Sequence, residues 1–167
     1  MPGSLEGRYR SVVPVLVAVL VLVVDQLTKL LAIQYLGPAS SREFVNVIGS
    51  WLRFSYATNS GAAFGILQDR TLFFTIIALV AIPVLIFFHN SLPRDSWLAR
   101  SCIGLLMGGT VGNLVDRLHY GYVIDFIDAG AGNLRWPTFN VADSAFVVGV
   151  LILAAYLLFL SEPKRAS

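Results

Sequence analysis

Aspartate recurs in this chain where a carboxylate is costly. Asp25 opens Asp25-Gln-Leu-Thr-Lys29 inside a long apolar run, and Asp116 sits between Asn113 and Arg117 at the end of another. Asp125 is flanked by Val123 and Ile124 on one side and Phe126 and Ile127 on the other, and Asp143 follows Asn140 by three residues. So flanked, Asp125 is expected to be partly desolvated, which raises a carboxyl pKa. Two carboxylates in one confined site cannot both ionise easily, so they share a proton over a wide pH range. One ionised oxygen of such a pair can take a proton from water as it attacks a carbonyl. The protonated partner donates toward the developing oxyanion and later steps return a proton to a leaving amine. Asp125 and Asp143 lie on different elements near one boundary, so spacing makes this pair possible without specifying it.

Each acid also has a plainer explanation. Asp25 and Lys29 are four residues apart and can neutralise one another on a helix. Asp116 and Arg117 can form a structural ion pair with one another or with their neighbours. Asn140 is a natural N-cap, and Asp143 at N3 can reach back to it in a capping box. Asp128, beside Ala129 and Gly130, reads as a solvated loop residue.

Other chemistries have less to work with. The two histidines, His89 and His119, form no H-E-x-x-H pair, so a zinc hydrolase lacks ligands and no metal is expected. No G-x-S-x-G elbow or glycine-rich phosphate loop is present. A Ser–Lys dyad drawing on Ser60 or Ser144 with Lys29 stays open at this stage. The single cysteine, Cys102, cannot form an internal disulfide.

The elements that carry these residues follow from composition. Of 167 residues 56% are hydrophobic and only 13% charged, with mean hydropathy +0.73. Soluble domains carry about 25% charged residues. Net charge is +2 without a Lys/Arg run, which excludes a basic nucleic-acid binder. Four stretches, about 12–36, 72–88, 97–118 and 141–160, approach the ~20 residues that cross a bilayer as helix. The first is read as a retained helix rather than a cleaved signal, because no small-residue cleavage site follows its apolar core. The chain therefore reads as one integral membrane domain, 1–167, an all-α bundle of four transmembrane helices. In the outer connection, about 37–71, residues 44–48 and 51–56 read as two short strands about a Gly49-Ser50 turn, a small amphipathic sheet on the bilayer. In the third stretch Gly104, Gly108 and Gly112 form a small-residue row that lets another helix approach closely.

Charge sets the expected orientation. With Lys29 and Arg117 embedded, the side holding both termini carries six Lys/Arg against four on the other, so the termini are expected in the cytoplasm. Seven of the ten acidic residues then fall at the outer boundary, with aromatic residues such as Trp51 and Trp136.

Five blocks in order, Asp25-Gln-Leu-Thr-Lys29, Asn59-Ser-Gly-Ala-Ala-Phe64, Gly108-Gly-Thr-Val-Gly-Asn-Leu-Val-Asp-Arg117, Val123-Ile-Asp-Phe126 and Phe139-Asn-Val-Ala-Asp-Ser144, resemble the bacterial lipoprotein signal peptidases, the type II signal peptidases. The resemblance implies an aspartic intramembrane endopeptidase of the bacterial inner membrane, multi-pass, with its site near the outer face. Its substrate would be a prolipoprotein, cut just before a cysteine that carries a diacylglyceryl group. Partners would be that precursor and membrane lipid, with no cofactor, metal or nucleic acid. Asp125 and Asp143 would be the catalytic pair. Asp25, Asn59, Asn113, Arg117 and Asn140 would line the pocket and hold the substrate backbone or the pair, while Asp116 would stabilise the structure. The family fold is a four-helix membrane bundle with a small outer sheet. The rival is a small proton-coupled transporter or channel subunit using Asp25, Asp116 and Asp125 as a relay; an assembly factor docking on the glycine row is a third.

Overall fold

Four helices and one small sheet make up the structure, a computed structural model that describes residues 3–61, 69–92 and 96–160, with side chains for 12–61, 69–92 and 96–159. Ala62, Ala63 and Phe64 of the second block fall outside the described residues. So do the charges Arg94, Asp95, Glu162, Lys164 and Arg165, and the side chains of Glu6, Arg8 and Arg10. Helix α1 spans Gly3–Leu36, α2 Thr71–Ser91, α3 Trp97–Tyr120 and α4 Val141–Ala155, the last running on into a π-helical turn, Tyr156–Leu160. Each contains a stretch long and apolar enough to cross a membrane: Val12–Leu36, Thr71–Ser91, Trp97–Tyr120 and Val141–Phe159. Large apolar side chains such as Leu16, Leu72, Phe87 and Leu151 stand exposed, as lipid-facing helix surfaces require. This is the expected fold class, a four-helix membrane bundle with a small β element.

The least apolar helix is the central one. The best window of α3 has mean hydropathy 1.3 and is 56% buried, against 2.8 and 6% for α2. Its glycines explain the position. A Cβ on Gly104 or Gly108 would stand 2.7 Å from Cβ of Val17 or Val21 on α1, and one on Gly112 would stand 2.7 Å from an Asp25 carboxylate oxygen. The row thus seats α1 directly on the backbone of α3, a contact driven by packing where lipid removes the usual hydrophobic drive. Gly109, a quarter-turn away, does the same for α4: its Cβ would lie 2.4 Å from the Ala142 carbonyl oxygen. Helix α3 then stops at Gly121, whose left-handed backbone (φ 80°) suits glycine.

The sheet is larger than expected. Strands β1 (Phe44–Ile48) and β2 (Leu52–Asn59) match the two-strand reading, but β3 (Val123–Ala131) and β4 (Leu134–Arg135) join them in antiparallel order β1-β2-β3-β4. Strand β3 shows no apolar/polar alternation because Val123, Ile124, Asp125 and Phe126 are all buried. A register shift between Phe54 and Ala57 puts an extra β2 residue beside the β3 segment that holds Asp125. Such bulges bend a strand and re-aim its side chains. The sheet closes the end of the bundle where α1 and α3 finish and α2 and α4 begin.

Asp128 corrects the sequence expectation. It is buried, not a solvated loop residue: Arg53 of β2 and Arg135 of β4 both donate to its carboxylate. Arg135 also donates to the Ser50 carbonyl at 3.1 Å, linking the β1–β2 turn to the cluster. Asp128 follows Asp125 by three positions, an odd step that sends the two to opposite faces of a strand. Burial works against the Asp128 anion, but hydrogen bonds from Arg135 and Arg53 outweigh it and hold its pKa below the usual carboxylate range.

Candidate active site

Pro137 cannot continue a strand ladder, and the chain turns after it into Asn140, the N-cap of α4. The Asp143 amide donates to Asn140 Oδ1 at 2.8 Å, and the Asn140 amide donates to Asp143 Oδ2 at 3.3 Å, completing the expected capping box. The same Asn140 has a second duty. Its Nδ2 donates to Asp125 Oδ1 at 2.7 Å, and lies 3.2 Å from the Ile124 carbonyl and 3.1 Å from Asn113 Oδ1. One side chain thus joins the Asp125 carboxylate to the first turn of α4 that carries Asp143.

Each acid has a further amide. Asn59, at the end of β2, donates from Nδ2 to Asp125 Oδ2 at 3.0 Å, and its Oδ1 accepts from the Gly61 amide at 3.0 Å, which fixes the amide's orientation. Asn113 of α3 donates from Nδ2 to Asp143 Oδ1 at 2.7 Å. Burial first, then the facing Asp143 carboxylate, push the Asp125 pKa from the ordinary 3.8 up to about 7, against opposition from the Asn59 and Asn140 amides and Lys29. Near neutrality, therefore, the site keeps a proton within reach of Asp125.

Beneath the acids lies a buried charge cluster. Lys29, only 2% exposed, sits 2.8 Å from both Asp25 Oδ2 and Asp116 Oδ2. Gln26 Nε2 donates to Asp116 Oδ1 at 2.9 Å. Asp116 Oδ2 also accepts from the Ile124 amide at 3.0 Å, so it anchors the start of β3. Asp25 Oδ1 accepts from the Ala142 amide at 2.9 Å, at the N-terminal end of α4 where a carboxylate is favoured. Two expectations need correcting. Asp116 pairs with Lys29 rather than its sequence neighbour Arg117, because successive helix residues point about 100° apart. Asp25 and Asn140, both fully buried, do not line the cavity and act from behind it.

The cavity itself, about 710 Å3, opens beside Asp143. Asn59, Gly61, Asn113 and Arg117 line its polar end, while Phe74 and Ala78 of α2 and Phe146 and Val147 of α4 form apolar walls. Arg117 spans this mouth. Its Nη1 is 3.5 Å from the Asn113 carbonyl oxygen, its Nη2 is 3.5 Å from the Gly61 carbonyl oxygen, and its guanidinium lies over the Phe74 ring at 5.5 Å. The structure thus gathers Asp25, Asn59, Asn113, Arg117, Asp125, Asn140 and Asp143 into one network. Lys29 belongs to it as well. In sequence, Lys29 could be read only as the helical partner of Asp25 or as the base of a Ser–Lys dyad. All three of its polar partners are elsewhere, while Ser60 bonds Asp69 and Ser144 bonds the Asn140 carbonyl.

The four apolar helices define a multi-pass membrane fold, and comparison with known proteins gives its family. Residues 17–159 match the family described as signal peptidase (SPase) II. A protein named lipoprotein signal peptidase from Moorella thermoacetica (strain ATCC 39073 / JCM 9320) is 42% identical over 144 residues, 86% of this chain and 91% of that one. One of the same name from Geobacillus thermodenitrificans (strain NG80-2) is 33% identical over 96% of this chain and 99% of its own. A solved structure described as a bacterial membrane enzyme superposes with TM-score 0.78 at 31% identity, covering 92% of this chain and 94% of that chain. The chain belongs to the signal peptidase II family and is a multi-pass membrane protease.

Proposed function

We propose that this protein is an aspartic endopeptidase that removes signal peptides from diacylglyceryl-modified prolipoproteins, cutting just before the lipidated cysteine. The observation that carries the reading is the Asn140 bridge, whose Nδ2 donates to Asp125 while its Oδ1 accepts from the Asp143 amide. The bridge ties the Asp125 carboxylate to the backbone that carries Asp143, which itself lines an apolar cavity, and two acids held so close suit one shared proton. The ionised oxygen of the pair takes a proton from the attacking water, and the protonated acid donates to the carbonyl oxygen as the tetrahedral intermediate forms. The proton taken from water then passes to the departing amine while the other acid takes one back from a hydroxyl of the collapsing diol, which returns the pair to its starting charge. Asn59 and Arg117, at the cavity's polar end, would hold substrate carbonyls in line with this attack, and Asn113 and Asn140 hold the acids. The sharing of Lys29 by Asp25 and Asp116 favours this reading over a proton relay, since two of the three relay carboxylates already have a buried partner.

The proposal extends to placement. The protein lies in the bacterial cytoplasmic membrane as one integral domain with both termini in the cytoplasm, on the six-against-four Lys/Arg bias. The sheet and the acids then sit at the outer face. There a precursor anchored by its acyl chains reaches the cavity sideways, between α2 and α4, whose apolar side chains form its walls.

Acyl chains in the apolar walls supply binding energy remote from the scissile bond, which serves to place that bond on the acids. Purified protein in lipid bilayers is therefore expected to cleave a diacylglyceryl-modified precursor about 10²-fold faster than the same precursor unmodified. Mass spectrometry of the products is expected to place the cut immediately before the modified cysteine. Equal turnover of the two precursors would contradict the lipid requirement.

A further inference from the structure

Lys29 is a buried titratable group that the proposed reaction does not use. An ammonium has three hydrogens and no acceptor, and here the three partners are Asp25 Oδ2 and Asp116 Oδ2, each at 2.8 Å, and Asn113 Oδ1 at 3.1 Å. The two carboxylates account for its charge and for two of its hydrogens. The third bond reaches the residue that holds Asp143.

The orientation of the Asn113 amide follows. Its Oδ1 receives two donors, Lys29 Nζ and Asn140 Nδ2, the latter at 3.1 Å, and its Nδ2 therefore faces Asp143 Oδ1 at 2.7 Å. Flipped, the same amide would turn N–H hydrogens toward an ammonium and a second amide, and an oxygen lone pair toward a carboxylate. Every one of those contacts is unfavourable where the partners are as buried as Lys29 and Asn140. Without Lys29 only the bonds to Asn140 and Asp143 would oppose the flip. Asn140 is in turn the side chain that bridges Asp125 to Asp143, so an error in Asn113 reaches both acids.

We propose that Lys29 is a positioning residue of the peptidase: it fixes the amide of Asn113, and through Asn113 and Asn140 the relative placement of Asp125 and Asp143. The charge of Lys29 adds a second effect. The ionised groups around the acids are Lys29 and Asp25 on α1 and Asp116 and Arg117 on α3, while β2 contributes only the neutral amide of Asn59. Lys29 draws the Asp125 pKa down. Its removal lets Asp125 keep its proton to higher pH, so the limbs of a pH–rate profile move up.

The inference rests on the two-aspartate reading but fails separately from it. Loss of the pair's role would appear as full activity in Asp125→Asn or Asp143→Asn, whatever Lys29 does. The test is Lys29→Gln in bilayers on the lipid-modified precursor, with kcat, KM and the pH–rate profile measured beside Tm. The expected result is folded protein with kcat lower by about 10²-fold, since misplacement by about 1 Å costs that much. KM is expected to change less than about threefold, because neither acid is needed for uniform binding of the substrate, and the profile to move to higher pH. Folded Lys29→Gln with unchanged kcat, or with a profile that stays in place, overturns the proposal.

Two buried carboxylates without their cation can prevent folding, so the second variant is Lys29→Gln/Asp116→Asn. It removes one positive and one negative charge together and keeps hydrogen-bonding groups at both positions. Folded and with kcat lower by about 10²-fold, it supports the positioning role. Folded with unchanged kcat, or unable to fold at all, it assigns Lys29 to structure alone.

Discussion

Asp125→Asn and Asp143→Asn, each made singly, are expected to lower cleavage of a lipid-modified precursor by about 10³-fold or more while the protein still inserts and folds. General acid and base catalysis contributes about 10²–10⁴-fold, and each substitution removes both roles from one partner of the pair. Shape is conserved, so the cavity of about 710 Å3 stays open to substrate. The folding cost is small. At position 125 an amide nitrogen must face either the Asn59 or the Asn140 Nδ2, now donors on both sides, which forfeits one hydrogen bond worth about 1 kcal/mol. Against that, a buried group whose burial and facing carboxylate push its pKa to about 7 no longer has to carry charge. The double variant is expected to lose little beyond either single one, because residues that act as a unit are not additive. Rates with the lipid-modified precursor, measured beside thermal unfolding of each variant, check this.

Gly109→Ala is expected to be nearly as damaging although it adds only one methyl group and removes no charge. That Cβ would stand 2.4 Å from the Ala142 carbonyl oxygen and 3.1 Å from Phe146 Cβ. The first obstacle is backbone, so α4 itself has to move away from α3. Its first turn carries Asp143 and is tied to Asp25, Asn113 and Asn140 by four hydrogen bonds. Overpacking of this kind costs about 1–3 kcal/mol, and displacement of Asp143 by about 1 Å costs about 10²-fold in rate. Gly149→Ala is the matched comparison on the same pair of helices. Its nearest contacts are 3.1 Å to the Leu105 Cβ and 3.2 Å to the Cys102 carbonyl oxygen, a gap that a few tenths of an ångström of adjustment can open. Thermal unfolding and kcat of the two variants are expected to rank Gly109→Ala well below Gly149→Ala.

What could be read from the chain alone follows from how local each determinant is. The four crossing helices were legible because length and apolarity are properties of one segment. The capping box of Asn140 and Asp143 was legible because three residues and one helical turn contain it. The close approach of α1 to α3 was legible in the glycine row, but its partner was not. Strand β3 escaped because burial on both faces erases alternation. Asp128 was misread because one of its two arginines lies 75 residues away in β2. Lys29 was visible as the partner of Asp25, four residues off, yet its bonds to Asn113 and Asp116 exist only after α1 has seated on α3. The bands of apolar residues thus told where the helices run, and the three-dimensional packing decided which polar groups meet.

The central claim is that Asp125 and Asp143 form one coupled acid–base unit, and infrared titration of the protein with isotope-labelled aspartate carboxyls addresses it most directly. A raised pKa means that the protonated form of Asp125 is favoured in the fold. Its contribution to stability is complete below the ordinary 3.8 and disappears as pH rises through about 7. The band lost in Asp125→Asn identifies the Asp125 signal. That signal is expected to titrate near 7 in the unaltered protein and to shift to lower pH in Asp143→Asn, where burial remains but the facing carboxylate is gone. An Asp125 carboxyl that titrates near 4 and does not respond to Asp143→Asn would contradict the account.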